Sequence, residues 1–337
     1  MIRLAYAVLL LPLAACPAKH GGTVGPTNQA AGAGCPSAAG VYFASYVTQE
    51  PAKGRSGWVV PLHAQAAQPG APIADYASID AAAATAAGVP AAPQGKLWLA
   101  TQHAPPCPLK LGSYYAAKVE GPPAGVSYGV EVDGCPAPAN AEDAGGILLV
   151  SDESPSGCRF EPPQPLAARL GQTDAQKQWQ RPTKETPIPP TLSALIPPHT
   201  CNPPDCETLW AFAEVKVENK TVAWTGAVNW LTIGAPAEQC QWKSERFSGF
   251  FVPTPTGAVK VTEGQDHPLA LSAALVDSSG AKGLLAEGPG EYATFDLTAD
   301  GTKLGHHLTW MIVPPDAWNS VDDIGPICED TAKPPSP

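Results

Sequence analysis

The chain has 337 residues, with 31 acidic against 20 basic side chains, a formal net charge of −11 with histidine neutral. Lys and Arg are few and scattered, so the sequence lacks the basic stripe of a phosphate-binding surface, and nucleic acid is not an expected partner. With 40 Pro, 32 Gly and 15% charged residues it is rich in turns and poor in long helices, yet long enough for two modest domains with real cores.

The first segment, 1–15, reads as a signal peptide. Arg3 precedes the apolar run Leu4 to Leu13, which contains Pro12 and is too short for a membrane span of about 20 apolar residues. Small residues Ala14 and Ala15 lead into Cys16. Leu13-Ala14-Ala15-Cys16 resembles the lipobox of bacterial lipoproteins, and the resemblance covers these first sixteen residues alone. It implies that the Cys16 thiol takes a diacylglycerol and that cleavage leaves Cys16 as the first residue. The expected protein is therefore exported and lipid-anchored, with the bilayer as a partner through acylated Cys16. One acyl chain binds marginally, and the two or three that the resemblance implies anchor firmly. Pro17 stands where Asp marks inner-membrane retention in Gram-negative lipoproteins, so the resemblance favours the outer membrane, facing periplasm or cell surface. The alternative is an ordinary secretory signal with Cys16 as a stray thiol. Losing Arg3 with the leader leaves 19 basic against 31 acidic residues, a net charge of −12 that reads as solubility.

Residues 16–34 are small, polar and Gly-rich, the composition of a flexible tether that also holds His20. Residues 35–160 read as a first β-rich domain. Its short β-branched and aromatic runs, such as Val41 to Val47, Val126 to Val132 and Ile147 to Val150, are punctuated by Gly, Pro and Asp. One helix is expected over Ser78 to Ala87, with Ser78 as its N-cap and Gly88 and Pro90 as stop signals. Residues 161–206 concentrate prolines and read as an interdomain linker, with a Pro-x-x-Pro recognition segment as the alternative. Residues 207–328 form the second, antiparallel β domain. Alternation puts Leu209, Ala211, Ala213, Val215 and Val217 on one strand face, and Val222, Trp224, Gly226, Val228 and Trp230 on a face of the next, across a turn at Glu218-Asn219-Lys220. Ala299-Asp300-Gly301-Thr302 is a second hairpin signal. The fold class is thus mainly β: two disulfide-containing sandwich or barrel-like domains joined by a Pro-rich linker, with little helix and a disordered tail at 329–337.

Eight cysteines remain besides Cys16: Cys35, Cys107, Cys135, Cys158, Cys201, Cys206, Cys240 and Cys328. An even number in an exported chain argues for disulfides, divided between the two halves, with Cys201–Cys206 the preferred local pair. The rival reading makes His199, Cys201 and Cys206 zinc ligands, but the paired short spacings of thiolate zinc sites are missing, and no metal is expected.

Signatures of catalysis are sparse. There is no Gly-x-Ser-x-Gly, phosphate-cradling loop, His-Glu-x-x-His or dinucleotide fingerprint, and no cofactor is expected. Ser279-Gly-Ala-Lys282 has the Ser-x-x-Lys spacing of acyl enzymes, in a segment that reads as a turn between strands. Adjacent His306 and His307 point to opposite faces of a strand and cannot share an ion. Alternation joins His306 to Leu304, Leu308 and Trp310, so His306 and Trp310 would line a cavity if the C-terminal domain holds a ligand. Trp210, Trp224, Trp230, Trp242 and Trp310 read as core rather than as a sugar-stacking platform. The leading expectation is a non-enzymatic envelope lipoprotein with a structural or recognition role and an envelope protein or glycan as partner. The alternatives are a small-molecule or glycan carrier, and a hydrolase using His63, His103 or His267 as base.

Overall fold

The structure, a computed structural model, describes residues 34–48, 56–67, 75–101, 105–119, 124–138, 144–169, 172–173, 179–180, 185–200, 206–232, 243–262, 268–288 and 290–311. The leader, Cys16, nearly all of the tether and the tail at 329–337 lie outside these residues.

The first half builds β1 (Val41–Thr48), β2 (Ser56–Ala66), β3 (Tyr76–Ile79), β4 (Leu97–Ala100), β5 (Cys107–Val119), β6 (Gly125–Asp133) and β7 (Gly145–Val150). Antiparallel pairing runs β5-β4-β7-β1-β2-β6, and β6 returns to β5, closing a six-stranded barrel with β3 appended to the far end of β5. Tyr42, Trp58, Val60, Leu62, Leu99, Val130 and Leu148 share the core cluster that fills it, as expected of so small a barrel. Helix α1 (Ala81–Ala86) packs Ala84 against this core. It starts later than the sequence suggests, because Ser78 is in β3 opposite Tyr115, and the cap is Asp80, whose Oδ1 accepts the Ala83 amide at 2.7 Å. A carboxylate at the position whose side chain reaches an orphan amide of the first turn wins over a serine already committed to a ladder. Disulfide Cys107–Cys135 joins the start of β5 to the residues after β6, and Cys35–Cys158 ties the beginning of the described chain to the end of this half. The 123-residue separation of the second pair corresponds to roughly 4.9 kcal/mol of loop-closure entropy removed from the unfolded chain.

The second half is a pair of stacked five-stranded sheets. It begins with β8 (Arg159–Glu161) and β9 (Gln164–Arg169), continues through the short pair β10 (Gln172–Thr173) and β11 (Trp179–Gln180) and the single-turn α2 (Pro190–Ser193), then enters two meanders. The first is β12 (Cys206–Val217), β13 (Lys220–Thr232), β14 (Lys243–Thr254) and β15 (Gly257–Lys260); the second is β16 (Ala270–Asp277), β17 (Gly280–Gly288), β18 (Glu291–Thr298) and β19 (Gly301–Thr309). The sheet orders are β15-β14-β13-β12-β9 and β19-β18-β17-β16-β8. Val215, Phe250, Val252, Leu284 and Phe295 fill the space between the sheets. The expected hairpins are present: Glu218 and Asn219 adopt positive φ of 51° and 64° in the β12–β13 turn, and Thr298 pairs with Gly301 across the second.

The stretch read as a linker is therefore partly sheet. Consecutive prolines Pro162 and Pro163 separate β8 from β9, so the chain donates one edge strand to each sheet and crosses between them where it has no amide hydrogen to give. Along β12 the single apolar face also needs correction. Val215 and Val217 meet the core between the sheets, but Phe212, 3% exposed, is buried against the opposite side, because that side is covered as well.

The halves share hydrophobic clusters rather than being strung apart. Val41, Ala100 and Leu149 on the outer wall of the barrel pack against Ala273, Leu275 and Leu285, while Ala274, Val276 and Leu284 point to the other sheet. The sheet of β16 to β19 is thus buried on both faces along β16 and β17, which is why these strands read as nearly unbroken apolar runs rather than alternations.

Candidate functional site

Two places hold side chains in arrangements that neither strand pairing nor a core explains by itself. The first is where the described chain begins. Residues 34–40 emerge at the seam between barrel and sandwich and end in a single 3-10 turn, Ala38–Gly40. Polar groups of the second half hold this segment on several sides. The Cys35 amide donates to Asp277 Oδ2 (3.3 Å), the Ala38 amide to Asp296 Oδ1 (2.7 Å), and Thr294 Oγ1 donates to the Ala38 carbonyl (2.9 Å). The His306 ring packs against Tyr42 at a tilt of 38° with ring centroids 4.4 Å apart, and its Nε2 lies 2.5 Å from the Ala39 carbonyl, so that nitrogen carries the proton. Beside it, Tyr292 donates to the Pro61 carbonyl at 3.2 Å and packs on Phe43. Close approach is needed throughout: a Cβ on Gly305 would sit 2.6 Å from both the Ala38 carbonyl carbon and its Cβ.

Electrostatics fit a holding role. Burial pushes the Asp277 carboxyl up, but hydrogen bonds from Ser279 Oγ and the Ser279 and Cys35 amides, with the charge of Lys282, outweigh it and keep it below the usual carboxylate range. Burial lowers His306, partly offset by its bond to Ala39, and raises Tyr292 and Tyr42. These are fixed acceptors and neutral donors around a backbone, a set suited to gripping a chain segment.

The second place is the outer face of the β15-β14-β13-β12-β9 sheet. Phe212, Trp224, Trp230 and Phe251, with Val228, form a buried and largely aromatic cluster there, with Leu192 of α2 at 1% exposure and Ile188, Leu195 and Ile196 packed on it. Residues 185–200 thus lie over the face as a strap. Near its start, Thr186 bridges to Ala168, its carbonyl accepts Trp210 Nε1 at 3.0 Å, and Glu185 pairs with Arg169 Nε at 3.1 Å. Arg169 also pairs with buried Glu207 and lies over the Trp210 ring. Further along, His199 stacks on Trp230 at 4.6 Å. The strap carries Ile-Pro-Pro twice, at Ile188-Pro189-Pro190 and Ile196-Pro197-Pro198.

The remaining candidates fall as follows. Cys35, Cys158, Cys107 and Cys135 are paired as above and Cys206 is disulfide-bonded, whereas Cys16, Cys201, Cys240, Cys328, Trp242, His103 and His267 lie outside the described residues. The role proposed for His199 with thiolate ligands gives way to its stack on Trp230, since Cys206 is oxidised. Among the described residues no group of three or more His, Cys, Asp or Glu could hold a metal ion. His63 stacks on Tyr128 at 6.3 Å. Ser279 sits in the β16–β17 turn and donates to Asp277, consistent with a turn rather than a nucleophile.

Strict alternation fails in β19. The register shifts between Thr294 and Phe295, where Gly305 is the extra residue. Leu304 therefore packs between the two sheets, while His306, Leu308 and Trp310 face the barrel, so His306 and Trp310 do not point into the sandwich interior with Leu304. His307, expected to face outward, meets Glu291 Oε2 at 2.6 Å, a carboxylate 3% exposed. Sequence reasoning missed Asp277, Asp296 and Thr294 at the seam, whose partners lie more than 240 residues away in the chain. The repeated Ile-Pro-Pro was the available signal for the strap. The chain matches no protein-family model, no curated protein and no solved structure.

Proposed function

We propose that the protein is an exported lipoprotein, anchored to the outer membrane through acylated Cys16, whose β body has a structural or recognition role at the envelope. The observation that carries the reading is the Cys35–Cys158 disulfide, set immediately after the Gly-rich tether in a mainly β body that also holds Cys107–Cys135. Such bridges persist in oxidising compartments, which agrees with the leader and lipobox of residues 1–16. The grip on residues 34–40 gives further support. A tether loaded at its lipid end pulls on its first fixed point, and here that point is a covalent bridge flanked by charge-assisted hydrogen bonds to Asp277 and Asp296. The partner on this reading is an envelope protein or glycan.

Intact mass spectrometry of membrane-extracted protein, native and Cys16→Ser, with thiol counting, tests it. The expected result is a mass beginning at Cys16 with acyl groups, lost in the variant, and no free thiol. An unacylated or uncleaved chain, or one with its described cysteines reduced, refutes the reading.

A further inference from the structure

The connection from β9 to β12 is far longer than its geometry demands. The two strands are antiparallel neighbours, with Trp210 opposite Arg169, and such neighbours can be joined by a two-residue turn. Here residues 170–205 intervene, holding among the described residues only the two-residue strands β10 and β11 and the single-turn α2, and so long a connection is uncommon in a compact domain unless it has a role of its own or serves as a linker. What the described part of this excursion does is cover aromatic rings. It does so almost without main-chain pairing to the sheet: Pro187, Pro189, Pro190, Pro197 and Pro198 have no amide hydrogen, and among the described residues of the strap the one bridge is Thr186 to Ala168. The strap is held otherwise by apolar side chains, by the Thr186 carbonyl accepting Trp210 Nε1, by Glu185 on Arg169 and by the His199 stack, all of which another segment of the same chemistry could supply. Proline-rich segments dock on aromatic surfaces because they are extended and stiff before binding and lose little entropy.

We propose that the outer face of the β15-β14-β13-β12-β9 sheet is a docking surface for a proline-rich, Ile-Pro-Pro-bearing segment of a partner protein, and that residues 185–200 are its internal ligand, seated there until displaced. The strap itself is the evidence for which chemistry the face accepts. The inference deepens the recognition reading above and rests on it for its setting, namely a partner at the envelope. A competitor binds only molecules whose strap is open, so its apparent affinity is scaled down by the open fraction, and a variant with a weakened strap must bind more tightly.

The test uses a fluorescent peptide with the sequence of residues 185–200, titrated by anisotropy into the full oxidised chain and into the Ile188→Asn/Ile196→Asn variant, whose face is intact. The variant is expected to bind the peptide at least tenfold more tightly than wild type, and a peptide carrying the same two Asn substitutions is expected to lose that binding. Equal affinity for both proteins, or no binding to a variant with native near-ultraviolet circular dichroism, overturns the proposal. If the variant does not fold, hydrogen exchange on wild type decides: amides of Leu192 to Ile196 should exchange at least tenfold faster than those of β12 and β13. A strap that exchanges only together with those strands opens only when the sheet unfolds, and the proposal fails. Both measurements read the face whatever the lipid state of Cys16, so they fail independently of the mass measurement on the anchor.

Discussion

Tyr292 tests whether barrel and sandwich form one cooperative body. It belongs to β18 of the second half, yet its side chain is 1% exposed within the cluster that fills the barrel, packs on Phe43 with centroids 4.5 Å apart and donates to the Pro61 carbonyl of β2. Truncation to Ala removes a fully buried ring and leaves a cavity, a change that costs roughly 3 to 5 kcal/mol. The Pro61 carbonyl loses this donor as well, and Tyr292→Phe isolates that part at about 1 kcal/mol. Urea unfolding followed by circular dichroism gives the total. Hydrogen exchange then locates it, by comparing β2 and β6 in the barrel with β13 in the sandwich. The expected outcome is one transition for wild type and both variants, with protection lost in the barrel and the sandwich by similar factors. Two separable transitions, or a Tyr292→Ala effect confined to the second half, would show that the seam carries little energy and would refute the shared core.

Gly305→Ala should destabilise by about 1 to 3 kcal/mol, measured as a lower urea midpoint, because the added methyl meets the backbone of Ala38 and the bulge cannot move without releasing His306 and residues 34–40. A neutral result would mean that the close approach of β19 to the 3-10 turn is not needed. His306 makes stability depend on pH in a defined direction. Its folded pKa lies below the ordinary value of 6.5, so as pH falls the unfolded chain takes up the proton first, and stability is complete above that value and declines below it. Facing groups do not reverse the sign, since Tyr42 is kept neutral by a raised pKa and Asp296 is engaged by the Ala38 amide. His306→Phe should keep the ring contact with Tyr42 and flatten the urea midpoint as pH falls from 6.5, and an unchanged profile would remove His306 as the source of that limb.

What could be read in the sequence was whatever depends on near neighbours. The β12–β13 and β18–β19 turns were legible because Glu218-Asn219 and Asp300-Gly301 carry turn chemistry locally, and the mainly β class followed from many short runs between turns. The later start of α1 was within reach, since Asp80 is as good a cap as Ser78, and only the pairing of Ser78 with Tyr115 decides between them. The face of His306 was not legible. A single inserted residue reverses every inward and outward assignment beyond it, and Gly305 announces itself as a bulge only through a contact with Ala38, far away in the chain.

Residues 161–206 show a deeper limit. Proline density is the same signal for a spacer, for an edge strand and for a strap, because in each case the chain has no amide hydrogen to offer a neighbour on one side. What separates the three is whether an apolar surface lies within reach. Ile188, Leu192, Leu195 and Ile196 would be exposed apolar side chains on a spacer, which disfavours that reading, and they are covered only because Phe212, Trp224 and Phe251 present a second aromatic face on strands that begin later in the chain. The alternation of β12 carried the complementary clue. A sheet with one wet face has no reason to place Phe212, Trp224 and Phe251 on the side away from Val215 and Phe250, so the aromatic residues on that side already required a cover.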